Sequence, residues 1–192
     1  NLINQLNTDI YNNDLSLLAK KLNIKKDLLV DLKKIEAKEI MREEQLDKKR
    51  KIATQKFEKK YELPNKLLLS MALTESGRKV NNIDFISWPW TINIKGKGKF
   101  FKTKKDAVEF TKNYTKNGKR NIDLGCMQVN YMYHPNAFNT FEEAFDPDKN
   151  VAWAAQMLNN LYKKFGTWKE AVGYYHSYRN PIRKKYSAKV FK

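Results

Sequence analysis

The apolar positions of the first 60 residues follow a helical rhythm. Leu15, Leu18 and Leu22 share one face, and Ile24, Leu28, Leu32 and Ile35 continue at the same spacing. From Lys33 to Lys60, charges of both signs surround a thin stripe of Ile40, Met41, Leu46, Ala53 and Phe57. That is the pattern of a solvated helix with a narrow packing face, and its heptads are too irregular for a coiled coil. Residues 1–60 are read as a helical N-terminal extension. After Pro64, which suits a first helical turn, Leu68, Met71, Ala72 and Glu75 fall at i, i+3, i+4 and i+7. An apolar face thus ends in a carboxylate, with Gly77 as the helix stop.

The rhythm then changes. Ile83, Phe85, Ile86, Trp88, Trp90, Ile92 and Ile94 are strand formers, and Gly96-Lys97-Gly98 offers a turn into Lys99-Phe100-Phe101, so one hairpin is expected near residues 85–101. A short helix is expected over 104–115, through Ala107, Val108, Phe110 and Thr111. Asp146-Pro147 opens the next helix as N-cap and first turn, Val151 to Phe165 supply its buried face, and Gly166 ends it. Thr167-Trp168-Lys169-Glu170 has capping-box spacing and starts another helix through Tyr174 and Tyr175. Pro181 is expected to break it, leaving a last short helix over Tyr186–Phe191. The fold class expected is mainly α with one small inserted hairpin, in a domain spanning 61–192.

Composition bounds the partners. With 192 residues, 41% hydrophobic and 12% aromatic, the chain can build one domain with a real core plus an accessory helical piece. The formal charge of +17 is spread: 15 basic against 10 acidic residues up to residue 60, and 23 against 11 beyond it. Such a field favours polyanions, whether nucleic acid, anionic lipid headgroups or an acidic wall polymer. The Lys-, Asn- and Ile-rich composition equally suits an AT-biased genome. Lys95–Arg120 holds ten basic residues and two acids among aromatics, a pattern that can bind nucleic acid. Its apolar residues have the periodicity of a core, however, and no nucleic-acid partner is expected. Cys126, the sole cysteine, excludes an internal disulfide or a cysteine-based metal cluster and reads as a small buried thiol. His134 and His176 lack ligand-spaced partners, so neither metal nor cofactor is expected. No apolar run reaches the roughly 18 residues of a membrane span. The chain begins at Asn1 without methionine or signal peptide, which suggests a processed or truncated N-terminus.

Glu75 is the leading chemical candidate. A carboxyl group that closes an apolar stripe is costly to ionise, the condition under which a carboxyl serves as general acid near neutrality. The plain alternative is a helix-end glutamate pointing to water.

Three islands give that candidate company: Glu75-Ser76-Gly77, Gly125-Cys126-Met127-Gln128 and Tyr174-Tyr175-His176-Ser177. Each alone is weak. Their order and spacing, with the Asn150–Leu158 helix between the second and third, resemble the catalytic domain of soluble lytic transglycosylases, a lysozyme-like fold related to goose-type lysozyme. The resemblance covers about residues 61–192. Trp88-Pro89-Trp90-Thr91-Ile92-Asn93 and Tyr175-His176-Ser177 look more specifically like the alphaproteobacterial branch. Two departures stand out: Cys126 replaces the usual leucine, and His176 replaces the usual asparagine.

The resemblance implies cleavage of the β-1,4 bond between N-acetylmuramic acid and N-acetylglucosamine in peptidoglycan, with 1,6-anhydromuramoyl ends. Glu75 would act as acid and then base, the substrate's own acetamido group stabilising the anomeric charge, as in the substrate-assisted exception to the two-carboxylate rule. Tyr175 would hydrogen-bond Glu75, and Ser76, Met127, Gln128, Tyr174 and His176 would line the cleft. Leu68, Met71 and Met127 would supply its apolar wall. Peptidoglycan strands are the implied partner, the periplasm or cell wall the implied compartment, and residues 1–60 a possible docking segment for a protein. Asp84, Asp123 and Glu142 remain candidate second carboxylates, which keeps a goose-type muramidase open. A non-catalytic wall-binding or secretion-assembly module is the alternative from another class.

Overall fold

The structure, a computed structural model, describes residue 20, residues 25–80 and residues 84–192. The face of Leu15, Leu18, Leu22 and Ile24, and the strand former Ile83, fall outside those residues. The chain divides into two units, residues 1–44 and residues 45–192. Helix α1, Lys26–Lys60, runs through the boundary. Within the first unit its surface is charged, with Leu28, Leu32, Ile35 and Met41 exposed.

In the second unit the end of α1 belongs to the core. Ala53 and Phe57 are buried there with helix α2, Leu67–Ser76. The N-terminus of α2 has Lys66 in a left-handed conformation at its cap, with no side-chain cap of its own. Glu58 of α1 does that work: its carboxylate accepts from Lys66 N at 3.0 Å and Leu68 N at 2.8 Å. Backbone donors are thereby satisfied at the helix end where negative charge is favoured. The compact unit therefore starts at Gln45, inside the helix that the sequence reading assigned to an extension ending at residue 60.

Helix α2 passes at Gly77 straight into strand β1, Gly77–Val80, which pairs antiparallel with β2, Asp84–Ser87. A Cβ on Gly77 would lie 2.3 Å from both Leu73 O and the Phe85 ring, so glycine is needed there for close approach. The expected hairpin follows as β3, Thr91–Ile94, and β4, Lys97–Phe100. Its two-residue turn, Lys95-Gly96, has both φ angles positive, at 52° and 82°, as a twist-matched hairpin turn requires. The sheet is larger than one hairpin: β5, Asp123–Leu124, pairs with β3, and β6, Val129–Asn130, pairs with β5. These two-residue strands are too short to announce themselves by alternation.

The remaining helices are α3, Lys104–Thr115; α4, Phe141–Ala144; α5, Pro147–Phe165; α6, Trp168–His176; and α7, Asn180–Val190. Thr103, Thr140, Asp146 and Thr167 cap α3 to α6 with their side chains. Pro181 does not end a helix; it sits in the first turn of α7, where its missing N–H costs nothing, and α7 starts well before Tyr186. One apolar core joins α2, α5, α6 and α7, and a second joins the four-stranded sheet to α3. The fold is mainly α with a small antiparallel sheet, as expected. Among the described residues no helix is long and apolar enough to cross a membrane.

Candidate active site

The last turn of α2 delivers Glu75 to an open cleft of about 230 Å³ between helices and sheet. Glu75 is only 13% exposed. Its Oε1 accepts a hydrogen bond of 2.6 Å from the Tyr186 hydroxyl, a length typical of charge-assisted O–H···O contacts. His176 Nδ1 lies 3.7 Å from the same oxygen. The imidazole stacks flat on the Tyr186 ring, with centroids 4.1 Å apart and planes 2° apart, so α6 and α7 hold the carboxyl's partners as one slab.

Tyr175 also lines the cleft, but its hydroxyl donates to the Met127 carbonyl at 2.8 Å rather than to Glu75. Tyr186 occupies the role expected of Tyr175. Burial, and then the neighbouring negative charge of Glu75, push both phenols well above the ordinary tyrosine range, so each remains a donor throughout the working pH range.

The 125–128 loop is fixed from behind. Gly125 has φ +77°, and a Cβ there would meet Asn150 Nδ2 at 2.4 Å. Asn150, itself buried, donates to the Leu124 and Ala144 carbonyls at 3.1 and 2.9 Å. Its oxygen accepts from Met127 N at 2.8 Å and from the Cys126 thiol at 3.4 Å. Gln128 is held at positive φ, 49°, and its Nε2 donates to the Gly125 and Thr91 carbonyls, which leaves Oε1 as an acceptor in the cleft wall.

Of the residues singled out from sequence, Glu75, Gln128, Tyr175 and His176 meet at the cleft. Ser76, Met127 and Tyr174 lie outside its wall. Ser76 is buried, and its hydroxyl donates to the Cys126 carbonyl at 2.8 Å, tying α2 to the loop. Met127, Leu68 and Met71 are fully buried in the core, so they are not the apolar wall. Tyr174 is sandwiched between the Phe165 ring and the Arg183 guanidinium. Val129, Trp153 and Met157 supply apolar lining instead. His134 joins them, packed at 4.7 Å on Trp153, with burial lowering its pKa, so two histidines distant in sequence share one cavity.

The candidate second carboxylates separate cleanly. Glu142 pairs with Lys112 at 2.7 Å and does not line the cleft. The side chain of Asp84 falls outside the described residues. Asp123 lines the cleft with Glu75, and burial, with a contribution from the charge of Glu75, holds its pKa above the usual aspartate range. Asn93 and Asn130, its cross-strand neighbours on β3 and β6, line the same wall, and nothing in the sequence motifs pointed to any of the three as a group.

A half-buried, donor-held glutamate in an open cleft can give a proton to a leaving oxygen and take one back. The family model described as the transglycosylase SLT domain matches residues 52–191. No curated protein and no solved structure matches the chain. With well over half of the sequence inside that match, the chain belongs to the transglycosylase SLT domain family, whose members act on peptidoglycan as lytic transglycosylases.

Proposed function

We propose that this cleft cuts the β-1,4 bond between N-acetylmuramic acid and N-acetylglucosamine by ring closure, leaving 1,6-anhydromuramoyl ends. The observation that carries the reading is Glu75, nearly buried and held through one oxygen by Tyr186. With Oε1 engaged, Oε2 is left to carry the proton to the leaving oxygen. The C1–O4 bond breaks as that oxygen is protonated, and the substrate's acetamido oxygen closes on the anomeric carbon. Glu75, now ionised, takes the proton from the muramoyl 6-hydroxyl as that oxygen attacks C1 and expels the acetamido oxygen. Water is not consumed, so a site that holds the 6-hydroxyl closer than water is required. The site of action would be the periplasm or cell wall.

Asp123 supports a second reading. Two carboxyl groups in one cleft is also the equipment of a hydrolytic muramidase. Mass spectrometry of digested sacculi separates the two, because the anhydro product lacks a reducing end and the hydrolytic product has one. Glu75→Gln separates either enzyme from a non-catalytic wall-binding module: the amide keeps the shape and should abolish clearing. Glu75→Gln protein that still clears sacculi would place the chemistry elsewhere.

A further inference from the structure

The sheet wall of the cleft has chemistry that a single-glutamate mechanism leaves unused. Asp123 and Asn93 sit cross-strand on β5 and β3, and Asp123 and Asn130 cross-strand on β5 and β6. Asn130 Nδ2 donates to Asp123 Oδ1 at 2.7 Å, while Asn130 Oδ1 accepts from Met132 N and Tyr133 N at 3.0 and 3.2 Å. One aspartate oxygen is thereby pinned by a side chain that is itself pinned by backbone. Among the described residues, the other oxygen takes no hydrogen bond, and no cation lies within ion-pair distance of the group, although His176 acts on it across the cleft. A partly buried carboxylate without a close ion pair opposes folding, since burial outweighs the distant His176, and a merely structural position would be served as well by asparagine. Beside it, Asn93 Oδ1 has no donor among the described residues, and Gln128 offers Oε1. This wall is rich in acceptors, so its complement is a ligand that presents donors.

We propose that Asp123 is a second catalytic residue of this cleft, whose carboxylate accepts the N–H of the muramoyl acetamido group and stabilises the positive charge formed when that group's oxygen attacks the anomeric carbon. The assignment rests on the substrate-assisted reading given above. In that step the C1–O4 electron pair leaves with O4, which takes the Glu75 proton. The acetamido oxygen bonds C1, and the resulting oxazolinium ring carries positive charge on nitrogen. Its N–H is then a far stronger donor than in the substrate, so an acceptor there binds the intermediate more tightly than the ground state. When the 6-hydroxyl oxygen displaces the acetamido oxygen, the amide becomes neutral and Asp123 is unchanged. The stereochemistry agrees: the acetamido oxygen attacks from the face opposite the departing oxygen, so its nitrogen belongs away from the helical side that carries Glu75.

The test is Asp123→Asn, near-isosteric and still able to accept from Asn130. On sacculi, kcat should fall about 10²-fold, as when one charge-stabilising group is removed from a transition state. Affinity for neutral chitotetraose should stay within about threefold, while affinity for a GlcNAc-derived thiazoline, a stable analogue of the oxazolinium ring, should fall more than about tenfold. Asp123→Glu, which keeps the charge on a longer arm, should retain more activity than Asp123→Asn and guards against a folding artefact. The proposal is overturned by kcat within about threefold of wild type, by parallel changes in the two affinities, or by Asp123→Glu proving the worse variant. Reducible ends in wild-type digests, with thiazoline affinity still lost in Asp123→Asn, would remove the transglycosylase reading and leave this assignment standing.

Discussion

Tyr186→Phe isolates one oxygen. The phenylalanine ring keeps the flat stack on His176 and the buried volume, and removes only the donor that reaches Glu75 Oε1 at 2.6 Å. A hydrogen bond to a charged group is worth about 1.5–3 kcal/mol, and each 1.4 kcal/mol is about tenfold in rate. If the contact is fully used when Glu75 returns as a base, kcat/KM should fall between about 10- and 150-fold. Tyr175→Phe is the internal control. Its hydroxyl meets a neutral backbone carbonyl, that of Met127, at 2.8 Å, so its loss is worth about 0.5–1.5 kcal/mol, or about 2- to 13-fold. Turbidity clearing of sacculi by both variants, with thermal melts to confirm folding, measures the ratio. Tyr175→Phe costing more than Tyr186→Phe, or Tyr186→Phe within about threefold of wild type, would refute the idea that Tyr186 positions the acid.

Other perturbations probe the frame. Asn150→Ala strands two buried carbonyls and the Met127 N–H together, so it should destabilise by about 4 kcal/mol and lower Tm by roughly 10 °C in calorimetry; a shift under about 3 °C would contradict the keystone role. The Cys126 thiol, fully buried and pushed up to about 12, should resist thiol reagents until the protein is unfolded. Asp123 has its folded pKa raised, so the folded state tolerates the neutral acid and is penalised as pH rises through that value. Asp123→Asn should therefore melt higher than wild type at pH 7, and the gap should close near pH 3, below the ordinary aspartate value. If the +17 charge steers the enzyme to an anionic wall, binding to sacculi should weaken from low to physiological salt while turnover of a short neutral glycan barely changes. Equal salt sensitivity on both would assign the basicity to genome composition.

What the sequence disclosed follows from the range of each interaction. Asp146-Pro147 and Thr167 announce helix starts because capping is settled within three residues, and the structure has both caps. Glu75 was legible because helical spacing alone places it at the end of an apolar face. Tyr186 was not: 111 residues separate it from Glu75, and its own helix carries no motif that points back. Asp123 was legible only as one of three spare carboxylates; its place in a wall with Asn130 and Asn93 was hidden for a related reason, since two-residue strands leave no alternation to read. The assignment of Leu68, Met71 and Met127 to the cleft failed because an apolar face next to an acid looks the same in sequence whether it meets a ligand or other helices. Here it meets the other helices of the core. Pro181 misled because proline ends one helix and begins another with the same ring, and only the neighbouring turn decides.

The pairing of Glu75 with Tyr186 also bears on how the protein is made. On the ribosome, Glu75 emerges early, at the end of α2, while its donor is added 111 residues later and must wait for α7 to dock. Until then the carboxyl lacks the contact that holds its geometry, even when the helix bearing it has formed. A nascent or truncated chain ending before α7 would therefore carry the acid without its aim. If the cleft cuts peptidoglycan as proposed, the site that acts on the wall is completed last.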